Sequence, residues 1–214
     1  MQAKKRNSFI SETFAETADT LLFTTKNQTQ QRWLISSALV GEGKSLSAIG
    51  LASTMARRNK KVLLIDANLR NPTISQRYGF EIHGGLIEVL LQGLKLKNAL
   101  HQDSEIENLF VLGAGIVNIE PFELFNGERM RVFLDKIQSL FDFIIIDTPA
   151  LAKALDALLL VPYVEGCIIV VQAERTGRSA VLKARQQIEQ AGGKILGLIL
   201  NQEKHHIPSI FHRS

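Results

Sequence analysis

The chain has 214 residues, of which 45% are hydrophobic, with a net charge of +4 and one cysteine. That suits a single domain with a sizeable core, and it excludes a disulfide-stapled scaffold, a low-complexity chain and, with no apolar run near ~20 residues, a membrane-spanning segment. The basic residues are dispersed over Lys4, Lys5, Arg6, Arg57, Arg58, Lys60, Lys61 and others as solvated helix ends and tails, so no nucleic-acid partner is expected. Met1 to Arg6 leads into polar sequence without an apolar signal core, and a cytoplasmic location is expected.

In chain order, Phe9, Ile10, Phe14, Leu21 and Leu22 predict one apolar helix face over about 9–23, followed by a polar connector to Gln31. Trp33 to Ser37 has the composition of a buried strand, and a helix is predicted from Lys44 to about Arg58. Lys61 to Asp66 reads as a buried strand ending in a carboxylate, and 69–84 as irregular with Asn71-Pro72 as a breaker. Leu86 to Leu91 predicts a short helix stopped by Gly93, and Leu109 to Leu112 a short strand. A helix from Pro121 or Phe122 to Leu140 is expected to bury Phe122, Phe125, Met130, Phe133, Leu134, Ile137 and Leu140. Phe143 to Asp147 is again an apolar strand ending in an acid; helix over 151–161, strand over 166–173, helix over 178–191 and strand over 194–201 complete the pattern. Cys167, inside the apolar run to Val171, reads as a small core residue.

Strands alternating with helices, most of the strands apolar throughout, imply an α/β fold with a mostly parallel sheet covered on both faces. In such sheets ligands collect at the carboxyl ends of the strands. Those ends carry Asp66, Asp147, Asn201 and the stretch Ala38-Leu39-Val40-Gly41-Glu42-Gly43-Lys44-Ser45. Strand, glycine loop and helix make a phosphate-binding loop: amides and the positive helix end surround phosphate oxygens, Lys44 reaches the outer phosphates, and the Ser45 hydroxyl can ligate Mg²⁺. Only Ala38 departs from G-x-x-x-x-G-K-[ST]. Gly41, Glu42, Gly43, Lys44, Ser45 and Leu46 are the candidate nucleotide-binding residues of the loop. Asp66 and Asp147 can lie beside a Mg²⁺ held by Ser45, one positioning the ion and the other activating a nucleophile. The candidate catalytic set is Lys44, Asp66 and Asp147, and the candidate metal set Ser45, Asp66 and Asp147, with ATP and Mg²⁺ expected. The expected organisation is an N-terminal helix and connector (1–31), a nucleotide-binding domain (32–202) and a tail (203–214). His205, His206 and His212 in that tail lack nearby cysteine or spaced carboxylates, so an exposed polar tail is expected rather than a metal site.

The loop at 38–45, Val62-Leu63-Leu64-Ile65-Asp66-Ala67-Asn68-Leu69-Arg70-Asn71-Pro72 and Ile144-Ile145-Ile146-Asp147-Thr148-Pro149 together resemble the Walker A, Walker A′ and Walker B motifs of bacterial tyrosine kinases. The resemblance runs from about Ser11 to Asn201 and takes in Gly85-Leu86, Glu123-Leu124 and Asp156-Ala157. It implies a P-loop NTPase fold and a cytoplasmic autokinase of capsular or extracellular polysaccharide assembly, recruited and activated by a membrane-bound chain-length (co-polymerase) protein. It further implies Lys44 and Ser45 on phosphate and Mg²⁺, Asp66 as metal-linked carboxylate or base, Asp147 serving the metal, and Asn201 on adenine. Related partition and division-site ATPases carry an extra lysine where this chain has Leu39. Three departures stand out. Asn68 replaces the second acid of Asp-x-Asp; Ala15 and Ala18 replace the ring-forming arginines that follow Glu12; and Tyr78 and Tyr163 are the only tyrosines, so the tail has none. Ring assembly through those ion pairs and tail autophosphorylation are therefore not expected. The alternatives are a non-catalytic, ATP-dependent regulator of the chain-length protein and a partition-type ATPase switch.

Overall fold

A computed structural model describes residues 14–24, 31–79, 84–116, 119–125 and 127–202. The first element, helix α1 (Ala15–Thr24), places Phe14, Ala18 and Leu21 against the domain. The first half of the predicted N-terminal helix, with Glu12, and the histidine-bearing tail lie outside the described residues.

The strands are β1 (Gln31–Ser37), β2 (Val62–Asp66), β3 (Leu100–Gln102), β4 (Leu109–Leu112), β5 (Phe143–Asp147), β6 (Gly166–Gln172) and β7 (Ile195–Asn201). They form one sheet in the order β3-β4-β2-β5-β1-β6-β7, parallel except where β3 pairs antiparallel with β4. Successive side chains of a strand point to opposite faces, so a strand that is apolar throughout feeds two cores. Leu34, Leu63, Ile65, Ile144, Ile146 and Ile169 meet one set of helices, while Trp33, Ile35, Leu64, Ile145, Ile168 and Val170 meet the other. Trp33 is fully buried, its indole N–H donating to Gln31 Oε1 at 3.0 Å.

The second face is covered by α1, by α2 (Lys44–Arg57) and by the short α3 (Thr73–Tyr78). The first face carries α4 (Leu86–Leu91), the one-turn α5 (Leu96–Ala99), α6 (Pro121–Phe125), α7 (Glu128–Gln138), α8 (Asp156–Leu160) and α9 (Arg178–Gln190). Four expectations need correction. The helix predicted over 121–140 is two helices, parted at Gly127, whose φ of 128° lies outside the range of a helix. Phe122 and Leu140 stay about half exposed at 58% and 49%, so the buried face is formed by Phe125, Met130, Phe133, Leu134 and Ile137. Within the irregular 69–84 stretch α3 forms, where the Asp66 carboxylate at the end of β2 accepts the Ser75 N–H at 2.9 Å. The helix predicted over 151–161 is confined to α8, continued by a 3₁₀ turn at Val161–Tyr163.

Gly85 shows why a glycine opens α4. A Cβ there would lie 2.3 Å from the Gly113 carbonyl oxygen and 2.5 Å from the Gly115 nitrogen, since the Leu86 and Ile87 amides dock directly onto the carbonyls of Gly113 and Ala114. Both obstacles are backbone and cannot swing away. Gly85→Ala is expected to lower stability by about 2–3 kcal/mol, read as a lower urea midpoint with an unchanged slope.

Candidate nucleotide site

The sheet order sets the site. β5 lies between β1 and β2, with Asp147 in register with Ile35 on one side and Asp66 on the other, so the two acids end adjacent strands beside the loop that follows β1. The loop after β5 is stitched beneath the loop after β1: Thr148 N–H donates to Ile35 O at 3.0 Å, Leu151 N–H to Ser37 O at 2.9 Å, and Ser36 Oγ to Pro149 O at 2.7 Å.

In the phosphate loop Gly41 and Gly43 both have φ of 86°, a left-handed conformation favouring glycine. At Gly43 there is no room for a Cβ either, which would sit 2.1 Å from Asn201 Nδ2. Asn201 donates from that nitrogen to the Glu42 carbonyl at 2.9 Å, so the last strand clamps the loop. Glu42 points inward. It is 1% exposed, its Oε2 accepting the Leu39 N–H at 2.6 Å and its Oε1 bonded to the Thr176 hydroxyl. Of the nucleotide candidates, Gly41, Gly43, Lys44, Ser45 and Leu46 line the cavity above the loop, whereas the Glu42 and Asn201 side chains brace the loop from behind.

That cavity, of ≈ 350 Å³, is also walled by Val40, Asn68, Arg70, Thr73, Ala150 and Lys153. Asp147 lies fully buried directly behind the lining residues Lys44 and Ser45. Ser45 Oγ donates to Asp147 Oδ2 at 2.6 Å, and Lys44 Nζ stands 2.9 Å from Ser45 Oγ and 3.6 Å from Asp147 Oδ1. The last distance is an ion pair rather than a hydrogen bond, and Oδ1 has no hydrogen-bond partner. Burial pushes the Asp147 carboxyl up to about 7, against the opposing pull of Lys44 and Ser45. A hydroxyl and a buried carboxylate oxygen with spare capacity are the hard donors that Mg²⁺ takes. Among the described residues no group of three or more histidine, cysteine or acid side chains is arranged to cage a metal, so further ligands would come from a phosphate or water.

Asp66, like Asp147, is fully buried behind the cavity lining, but its partners differ: Oδ2 accepts the Ser75 N–H and hydroxyl at 2.9 and 2.8 Å, and Oδ1 the Asn68 N–H at 3.2 Å. Burial raises its carboxyl above the ordinary range, opposed by those hydrogen bonds. Of this segment Asn68, Arg70 and Asn71 face the cavity. Motif reading gave no role to Arg70, Thr73 or Lys153. Arg70 sits four residues after Asp66 and is fixed by Asp156, with Nε 2.6 Å from Oδ2, which gives the Asp156-Ala157 pair its place.

The AAA domain family profile matches residues 35–195. Tyrosine-protein kinase YwqD of Bacillus subtilis (strain 168) is 32% identical over 197 residues, covering 92% of this chain and 83% of that protein. Among solved structures, the VpsO kinase domain superposes with a TM-score of 0.84 at 30% identity, covering 95% of this chain and 98% of that one. The septum site-determining protein MinD from Pyrococcus horikoshii, solved with Mg-ADP, gives 0.67 at 25% identity over 79% of this chain and 69% of its own. The sheet order, the loop and both acid-ended strands are thus those of a nucleotide-binding fold, and the chain belongs to the bacterial tyrosine-protein kinase family.

Proposed function

We propose that this protein binds Mg-ATP in the cavity over the phosphate loop and transfers the γ-phosphoryl group to a tyrosine hydroxyl, in the assembly of capsular or extracellular polysaccharide. The observation that carries the reading is the Lys44, Ser45 and Asp147 constellation at the cavity base, with one buried carboxylate oxygen left unsatisfied. Loop amides of Gly41 to Ser45 and the start of α2 bind phosphate oxygens, and Lys44 turns from Asp147 toward them. Bound Mg²⁺ supplies positive charge against the phosphates; Ser45 and Asp147 are the residues that would hold it.

Phosphoryl transfer rests mainly on positioning and electrostatics, so a strong base is not its first requirement. Asp66 in this reading fixes Asn68 in the wall and seats α3, keeping the acceptor side of the cavity in shape. Val40, Leu46 and Leu155 are 54%, 40% and 60% exposed, and Val40 and Leu46 line the cavity itself; this apolar surface suits contact with a partner segment. A membrane-bound chain-length protein is the partner proposed. No helix among the described residues is long and apolar enough to cross a membrane, so recruitment to one would fall to that partner.

Asn68 in the cavity wall favours a second reading, a regulator that reports ATP occupancy without transfer. Incubation with Mg-ATP and a tyrosine-bearing partner peptide, followed by intact mass and phosphosite mapping, decides between them. The kinase reading expects phosphotyrosine that Lys44→Ala lowers by about 10²–10³-fold, and a faster rate in Asn68→Asp. ATP binding with no phosphotyrosine in the native chain under any partner condition would select the regulator.

The buried carboxyl adds a pH dependence. Below about 7 Asp147 holds a proton that Mg²⁺ must displace, so affinity for Mg-nucleotide is expected to rise with pH and level off above that value. Calorimetry in buffers of different ionisation enthalpy should detect proton release near pH ~6 that the Asp147→Asn chain lacks.

A further inference from the structure

Three cations line the cavity, and two are already engaged. Lys44 leans on Asp147 and Ser45, while Arg70 is held by Asp156, with Nε at 2.6 Å and Nη2 at 3.2 Å, and lies 3.8 Å from Glu120. Lys153 is exposed and forms no side-chain ion pair with any carboxylate among the described residues. Its backbone, by contrast, is fixed. Lys153 N–H donates to Ala150 O at 3.0 Å, and the two preceding residues hang from the phosphate-loop strand through Leu151 N–H to Ser37 O at 2.9 Å and Ala152 N–H to Ala38 O at 3.2 Å. The loop after β5 therefore presents an uncommitted ammonium group from a rigid turn.

The position of that turn defines what the group meets. Amides of Gly41 to Ser45 can surround the inner phosphates of a bound nucleotide, and Asn68, Thr73, Pro149, Ala150 and Lys153 line the same cavity, so a terminal phosphoryl group reaching beyond the loop would enter space that Lys153 borders. A terminal phosphoryl group adds negative charge there that a diphosphate lacks. We propose that Lys153 is a γ-phosphate contact that lets the site discriminate the triphosphate from the diphosphate. The inference rests on the Mg-ATP reading above and adds to it a residue outside all three motifs. The loop position that carries an extra lysine in the partition and division-site ATPases is Leu39, so here the additional cation would enter the site from the strand β5 side instead.

A lysine ammonium that orders only when the terminal phosphate arrives forms a charge-assisted hydrogen bond in place of two solvated ions. The expected consequence is an affinity difference of about tenfold confined to the triphosphate. Calorimetric titration of the full chain with Mg²⁺ plus a non-hydrolysable ATP analogue, and separately with Mg-ADP, tests it in the native protein, Lys153→Met and Lys153→Arg. Lys153→Met is expected to weaken the analogue by about tenfold and ADP by less than about twofold, with Lys153→Arg recovering most of the loss. The urea midpoint should not move, since the side chain is exposed. Equal losses for both nucleotides, or no loss for either, would overturn the inference while leaving the Mg-ATP reading in place. A native chain that binds neither nucleotide would overturn that reading and this inference with it.

Discussion

Removing a carboxylate completely from water at the end of a central strand is the constraint to which the rest of this structure answers. β5 has a strand on either side and helices on both faces, so Asp147 loses its hydration and must find compensation within the protein. It comes from Ser45 and Lys44, which lie where a strand turns into a helix and nowhere near Asp147 in sequence. The acid and the loop therefore stabilise each other: the loop supplies the donor and the cation, and the acid fixes the side chains that open α2. Compensation is incomplete, since Oδ1 keeps no hydrogen bond, and that residual demand makes the base of the cavity a place where a cation is favoured.

The loop's own shape is maintained from further out. Glu42 carries a charge into the interior and spends it on the Leu39 amide and the Thr176 hydroxyl, binding the loop to the segment after β6. Asn201 closes it from the end of β7. Side chains that look outward in a motif thus face inward in the fold. The conformation of the phosphate loop is a property of three strands rather than of the glycine sequence alone.

How much of this was legible in the sequence follows from the range of the forces involved. The strands β2, β5 and β6 are apolar up to their last residue and β1 has the apolar centre Trp33-Leu34-Ile35, and burial on both faces leaves that local mark, so the α/β class, the parallel sheet and the positions of Asp66, Asp147 and the loop are legible directly. The break at Gly127 leaves little mark on the pattern, because apolar residues continue on either side of it. The helix α3 and the antiparallel β3 depend on partners outside their own short segments, the Asp66 carboxylate for one and Leu109–Leu112 for the other, and neither writes a period into its own sequence. In the site, motif spacing located Lys44, Ser45 and Asp147. It could not show that the Asp66 oxygens are consumed by Ser75 and Asn68, nor that Lys153, in a segment without a motif, reaches the same cavity.

The bond from Asn201 to the Glu42 carbonyl joins residues 159 positions apart. Synthesis delivers the glycine loop long before its clamp, and contacts of such separation are the slowest to form. A nascent chain still on the ribosome holds the motif without its brace, so the loop cannot settle into its final form until β7 has emerged and paired with β6. Chains cut before β7 consequently carry the loop and both acid-ended strands and lack the brace that holds the loop in shape.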